Sequence, residues 1–226
     1  PGAGGTEKGL SYLAEALGRD GWLAVVAGHR ESGPSALRAD LRGPGLKDAL
    51  LRLTTDRSAY EARSMDLAVA LEWARTRCAS HYSVLVGHSM GAATVMLEAG
   101  AENKLGLSGK DRFDAYIAMS PQGPGSIFPE NAWRRIAKPM LMLTGTRDGA
   151  LEGDWTTRII PYEGMPAGCK WLGVIDGARH MDLGGRGHSR EVESLTVNAA
   201  EAFLDSAATG GCGPLPEATG IAYRHK

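Results

Sequence analysis

Ser89 sits between two glycines in Gly87-His88-Ser89-Met90-Gly91, directly after the apolar run Val84-Leu85-Val86 and before Ala92-Ala93-Thr94-Val95-Met96-Leu97-Glu98. The order reads as a buried strand, a very tight turn with Ser89 at its tip, and a helix with small residues where it must pack on the sheet. Side chains at positions 87 and 91 would collide with the strand or helix beside the serine. Such a turn lifts the hydroxyl clear of the sheet and sets the Met90 N–H where a negative oxygen can be received. In a chain with 31 glycines, the five-residue pattern alone arises by chance on the order of 0.3 times. The flanking strand and helix are what give it weight.

A serine hydroxyl is a poor nucleophile near neutral pH, so it needs an imidazole to take its proton and a carboxylate to orient that imidazole. The base is expected at His180 and the orienting acid at Asp148. Asp148 has a structural alternative as the cap of the following turn, and Asp154 is the reserve acid. His188, at the start of the last helix, reads as solvent-facing. His88 is expected against the sheet, and His29, His81 and His225 lack a carboxylate at a strand end. Asp176 and Asp182 flank His180 too closely in sequence to orient its ring. Phe128, Trp133, Trp155 and Met181 follow strand ends and are expected to line a substrate pocket, with loop packing as their alternative role.

These residues need a scaffold that brings strand ends together. Thr6 is positioned to cap a first helix with Leu10, Leu13 and Leu17 on one face. A strand is expected at 21–27, a long loop with a short helix at 30–57, and a helix at 58–77 carrying Met65, Ala68, Val69 and Trp73 on one stripe. The elbow strand follows. Further strands are expected at 114–119, 139–144 and 170–175, with a loop and short helix around Trp133. The last helix spans about 190–206, with Val192, Leu195, Ala199, Ala202 and Phe203 on one face. Residues 1–208 read as one catalytic domain and 209–226 as a Gly/Pro-rich extension, extended or partly loose. Alternating strands and helices predict an α/β fold: a mostly parallel sheet covered on both faces, with its site at the carboxyl ends of the strands. Ser89, Asp148 and His180 each follow a predicted strand, so all three should meet at that edge.

Composition narrows the partners. Net charge is −1, with 23% charged residues and no long single-sign run, which argues against nucleic acid or an anionic membrane surface. No apolar stretch approaches the ~20 residues needed to span a bilayer. No leader pattern is legible at the start, as in cytoplasmic and mature exported chains alike, so the compartment stays open. Cys78, Cys169 and Cys212 lack metal-ligand spacing and allow either one disulfide or three thiols. The oligomeric state is not legible.

From Pro1 to about Ala207 the chain resembles α/β-hydrolase-fold serine esterases, in the order Ser89, Asp148, His180 and in the elbow around Ser89. In style it is nearest to dienelactone-hydrolase-like, platelet-activating-factor acetylhydrolase-like and cutinase-like polyester hydrolases. The resemblance implies a carboxylic ester hydrolase working through an acyl-enzyme, without cofactor or metal, on a small-molecule or polymeric ester. Thioesterase, lipase, polyesterase and peptidase are alternatives on the same scaffold, and a non-catalytic binding module is the alternative of another class. Pro1-Gly2-Ala3-Gly4-Gly5 resembles the turn that supplies a second oxyanion-hole donor in that branch, which assigns the N–H of Ala3 beside that of Met90. Two departures matter. The family has about three strands before this turn, so the resemblance implies a preceding segment and, without it, an elbow strand lacking a neighbour on one side. Polyester hydrolases carry an aromatic residue and a tryptophan where Ala3 and Gln122 stand, and dienelactone hydrolases proper use a cysteine in place of Ser89.

Overall fold

A computed structural model describes residues 1–41, 45–79 and 82–226. Among the described residues, β1 (Val84–His88), β2 (Ala115–Met119), β3 (Met140–Arg147), β4 (Lys170–Arg179) and β5 (Ile221–His225) form one sheet in that spatial order. The first four strands are parallel, and β5 runs antiparallel to β4. The helices are α1 (Ser11–Arg19), α2 (Pro34–Asp40), α3 (Leu46–Thr55), α4 (Arg57–Arg75), α5 (Met90–Glu98), α6 (Ile160–Gly164), α7 (His180–Leu183) and α8 (Arg190–Ala208).

The period of two along each strand divides the core between the two faces. Tyr116, Ala118, Met140 and Met142 pack with Tyr60, Leu67, Met90, Val95 and Met96 from α4 and α5. Ala115, Ile117, Met119, Leu141 and Leu143 pack with Leu13, Leu17, Phe203 and Leu204 from α1 and α8. Strands buried on both faces read as continuous apolar runs, which is why β2, β3 and the first half of β4 are legible as strands.

Other expectations fail for identifiable reasons. Residues 21–27 are not a strand. They run as irregular backbone with Leu23 and Val25 exposed, because no described segment pairs with them. They line a cleft whose other wall includes Val84 and Val86 of β1, the edge strand of the described sheet. Thr6 does not cap α1: its hydroxyl accepts the Lys8 N–H in a preceding turn at 3.2 Å, although Leu10, Leu13 and Leu17 are buried as expected. The stretch at 30–57 holds α2, α3 and a 3₁₀ turn at Arg30–Ser32. None of the α2 residues is buried and only Ala49, Leu53 and Thr54 of α3 are, so the apolar stripe was too thin to read. In α4 the expected stripe is the wrong one, since Met65, Val69 and Trp73 are exposed while Ala59, Tyr60, Arg63, Leu67 and Leu71 are buried. Around Trp133 the chain makes turns and no helix.

Part of the tail beyond 208 joins the sheet. β5 lies within it, and Cys169 and Cys212 form a disulfide that ties the start of β4 to the connection after α8, leaving Cys78 as a free thiol. Closing a covalent loop between positions 43 apart restricts the unfolded chain by about 2–4 kcal/mol. Reduction, or paired Cys169→Ser and Cys212→Ser substitution, should therefore lower the urea midpoint of unfolding. An unchanged midpoint would show that β5 holds its place without the bridge.

Candidate active site

Ser89 follows β1 at φ 58° and ψ −119° and heads α5. A non-glycine residue there is strained, and its surroundings leave it no alternative. A Cβ on Gly87 would run into the Gly91 backbone, and one on Gly91 would stand 3.0 Å from the Pro1 carbonyl oxygen. Ser89 N–H donates to Met119 O at the end of β2 at 3.0 Å. All nine residues of α5 are buried, so the turn cannot relax outward.

Asp148 lies just beyond β3 and is fully buried. His180 follows β4 as the first residue of α7, and its side chain is 32% exposed. The structure brings Ser89, His180 and Asp148 together. His180 Nε2 is 3.0 Å from Ser89 Oγ, and His180 Nδ1 is 2.8 Å from Asp148 Oδ1. An ionised carboxylate only accepts, so Nδ1–H donates to Asp148 and Nε2 is left to accept the serine hydroxyl. Thr144 Oγ1 donates to the second carboxylate oxygen at 3.0 Å.

Arg158 completes this buried group, and nothing in the sequence pointed to it. Its Nε stands 3.0 Å from Asp148 Oδ1. Its other N–H groups donate to the carbonyls of Ser120, Pro121 and Gly149 at 2.8, 3.0 and 2.8 Å, fixing the loops after β2 and β3. Burial alone would raise the Asp148 carboxyl. The His180 hydrogen bond and the Arg158 charge outweigh it and hold the group below the usual carboxylate range. The carboxylate is thereby kept ionised.

The remaining titratable candidates are engaged elsewhere. Buried His88 donates its Nε2–H to His180 O at 2.8 Å, and its ring lies 4.7 Å from the His180 ring. It braces α7 from below, against the sheet. Asp182 caps α7 through the Arg179 N–H, and Asp176 accepts from Thr146 Oγ1. Asp154 caps the turn at Thr156, while His188 is exposed. His29 pairs with Asp66 at 2.7 Å, and His225 with Cys212 O at 2.8 Å. His81 lies outside the described residues. Among the described residues, no group of three or more His, Cys, Asp or Glu is placed to hold a metal ion.

Ser89 and His180 open into a cleft of about 650 Å³. Ala3, Leu50, Leu51, Ile127 and Met181 contribute to its walls. Of the expected pocket residues only Met181 is there. Phe128 and Trp133 are fully buried against each other in the core, with Trp133 Nε1 donating to Met96 Sδ, and half-buried Trp155 lies off the cleft. Large aromatic rings after strand ends went where they bury most area. Leu50 and Leu51 of α3 supply part of the apolar wall instead, from a stretch whose sequence predicts a long loop with a short helix.

No protein-family model and no curated protein matches the chain. Among solved structures, a chain from work on LipS and LipT, two metagenome-derived lipolytic enzymes, superposes with a TM-score of 0.63. The match covers 90% of each chain at 15% identity. At that identity the likeness is one of fold: this chain has the α/β-hydrolase fold, with a mostly parallel sheet and helices on both faces.

Acid should loosen this structure. Burial, with the nearby His180, lowers the proton affinity of His88 to about 3. Burial, with Arg63, lowers that of His29 to about 4 against the ordinary 6.5, the hydrogen bond with Asp66 opposing. The unfolded chain then binds these protons more tightly than the folded one. Stability is fully present above pH 6.5 and is lost as pH falls through about 4 and then about 3. Asp148 adds loss of the same sign below its ordinary 3.8. The urea midpoint should stay level above that upper limit and fall below it, and His29→Asn with His88→Asn should flatten the decline. A midpoint that is level down to pH 4 would contradict the neutral burial of both rings.

Proposed function

We propose that the chain is a carboxylic ester hydrolase with Ser89 as nucleophile, His180 as general base and acid, and Asp148 as orienter. The observation that carries this reading is the unbroken run of contacts from Ser89 Oγ through the His180 ring to Asp148, at 3.0 and 2.8 Å, open to a cleft. In the proposed reaction Ser89 Oγ attacks the ester carbonyl carbon as its proton passes to His180 Nε2. The carbonyl oxygen becomes an oxyanion facing the N–H groups of Met90 and Ala3. His180 then protonates the leaving alcohol, and an acyl-enzyme forms on Ser89. Water, deprotonated by His180, attacks that acyl carbon, and collapse releases the acid and restores the serine.

The half-buried Leu50 and Leu51 and the nearby Ile127 and Met181 favour an apolar acyl or alcohol group. Ala3 and Gln122 at the two positions that are aromatic in polyester hydrolases speak for a small-molecule ester over a polymer. The disulfide fits an oxidising compartment.

A series of p-nitrophenyl esters from acetate to palmitate tests the reading. Turnover is expected, with Ser89→Ala lowering kcat by about 10⁴–10⁶-fold at unchanged fold. His180→Ala should cost a comparable factor. A Ser89→Ala variant with wild-type turnover would refute the assignment, and an intact protein inactive on every ester would favour a non-catalytic binding role.

A further inference from the structure

Arg63 lies on the inner stripe of α4 with Ala59, Leu67 and Leu71, is 1% exposed, and among the described residues has no carboxylate within ion-pair distance. Burying an unpaired guanidinium is costly unless its N–H groups are fully used. Here they are spent on Ser32 and on the Pro1–Gly2 segment that packs beside it. Nε donates to Ser32 Oγ at 2.8 Å, Nη1 to Pro1 O at 2.9 Å, and Nη2 reaches Gly2 O at 3.5 Å. Gly2 O also accepts the Gly5 N–H at 3.1 Å, and Gly4 N–H donates to Ser32 O at 2.8 Å. The carbonyls of two successive residues are therefore turned toward α4.

That orientation has a consequence on the opposite side. Among the described residues no peptide is cis, and in a trans peptide the N–H of the next residue points away from the carbonyl. With Gly2 O held toward Arg63, the Ala3 N–H points away from α4. The segment lies directly over the elbow, since a Cβ on Gly2 would stand 3.0 Å from Ser89 Cβ and 3.5 Å from Ser89 Oγ. Ala3 and Ser89 line the same cleft.

We propose that Arg63 is a positioning residue for the oxyanion hole: by gripping the carbonyls of Pro1 and Gly2 it aims the Ala3 N–H at the carbonyl oxygen of an ester attacked by Ser89. The proposal rests on Ser89 being the nucleophile. The grip also polarises the peptide unit, which strengthens its N–H as a donor. Burial pulls the basicity of Arg63 down to about 10, which leaves it charged at neutral pH.

The test compares Arg63→Met and Arg63→Lys with wild type on p-nitrophenyl butyrate, with active sites counted by end-point titration with a fluorophosphonate. Inhibition by phenylboronic acid, which forms a tetrahedral adduct on a serine oxygen, is measured alongside. A misaimed oxyanion donor should lower kcat per titrated site about 10–100-fold in Arg63→Met, with KM within about threefold and boronic-acid affinity falling in parallel. Arg63→Lys, which keeps a charge but cannot hold both carbonyls, should fall between the two. If Arg63→Met does not fold, Arg63→Lys alone decides, with a kcat loss of about 3–10-fold expected. A purely structural role would lower the melting temperature and the number of titrated sites while leaving kcat per site and boronic-acid affinity unchanged. That result in either folded variant overturns the proposal. Failure of the underlying reading is distinguished by Ser89→Ala: full activity there removes the nucleophile itself, whereas an inactive Ser89→Ala beside fully active Arg63 variants removes only the role of Arg63.

Discussion

A serine held at φ 58° and ψ −119° costs on the order of 1–3 kcal/mol in backbone strain, and most of this molecule's architecture bears on that one residue. Three chain segments converge on it with no room to spare: the end of β1, the start of α5, and the Pro1–Gly2 backbone lying across both. Gly2, Gly87 and Gly91 meet there, and a Cβ on any of them would press against neighbouring backbone or against Ser89 itself. Relaxing the turn would mean moving a strand registered to β2 or a helix buried along its whole length. Neither yields readily, because interiors at crystal-like density transmit displacement instead of absorbing it.

The charges around the site follow from the same enclosure. One carboxylate, Asp148, is fully buried, and a buried charge persists only when it is paired and hydrogen-bonded. Arg158, His180 and Thr144 supply those partners, and Arg158 also ties the loops after β2 and β3 to it. His88, buried beside His180, is kept neutral by its burial and serves as a donor to the His180 backbone. The outcome is one imidazole, His180, that is both partly open to the cleft and fixed in orientation from behind.

How much of this was legible depends on how local the cause is. The turn at Ser89 could be read because two glycines and a β-branched run state its steric requirement within a dozen residues. β2, β3 and β4 could be read because strands buried on both faces leave continuous apolar segments, and Asp148 and His180 stand out as candidates because they follow two of them. The face of α4 was misread because its inner stripe contains Arg63, which reads as polar; the spacing 59, 63, 67, 71 was there, with a charge in the middle of it. Phe128 and Trp133 were misplaced because an aromatic ring after a strand end fits a pocket wall and a core equally well in sequence. Arg158 left no local trace, since its partners are the Asp148 carboxylate and backbone carbonyls from two loops, none of them adjacent to it in sequence. β5 was missed because a short edge strand with exposed residues alternates too weakly to stand out from a Gly/Pro-rich tail.

The central claim is that Ser89 is a hydroxyl made nucleophilic by His180 at neutral pH. Its most direct test is stoichiometric reaction with a fluorophosphonate, followed by mapping of the adduct by peptide mass spectrometry. The account predicts one adduct per chain, located on Ser89, with the labelling rate collapsing in His180→Ala and little changed in His188→Ala. An adduct at another residue, or rapid labelling of Ser89 without His180, would contradict it.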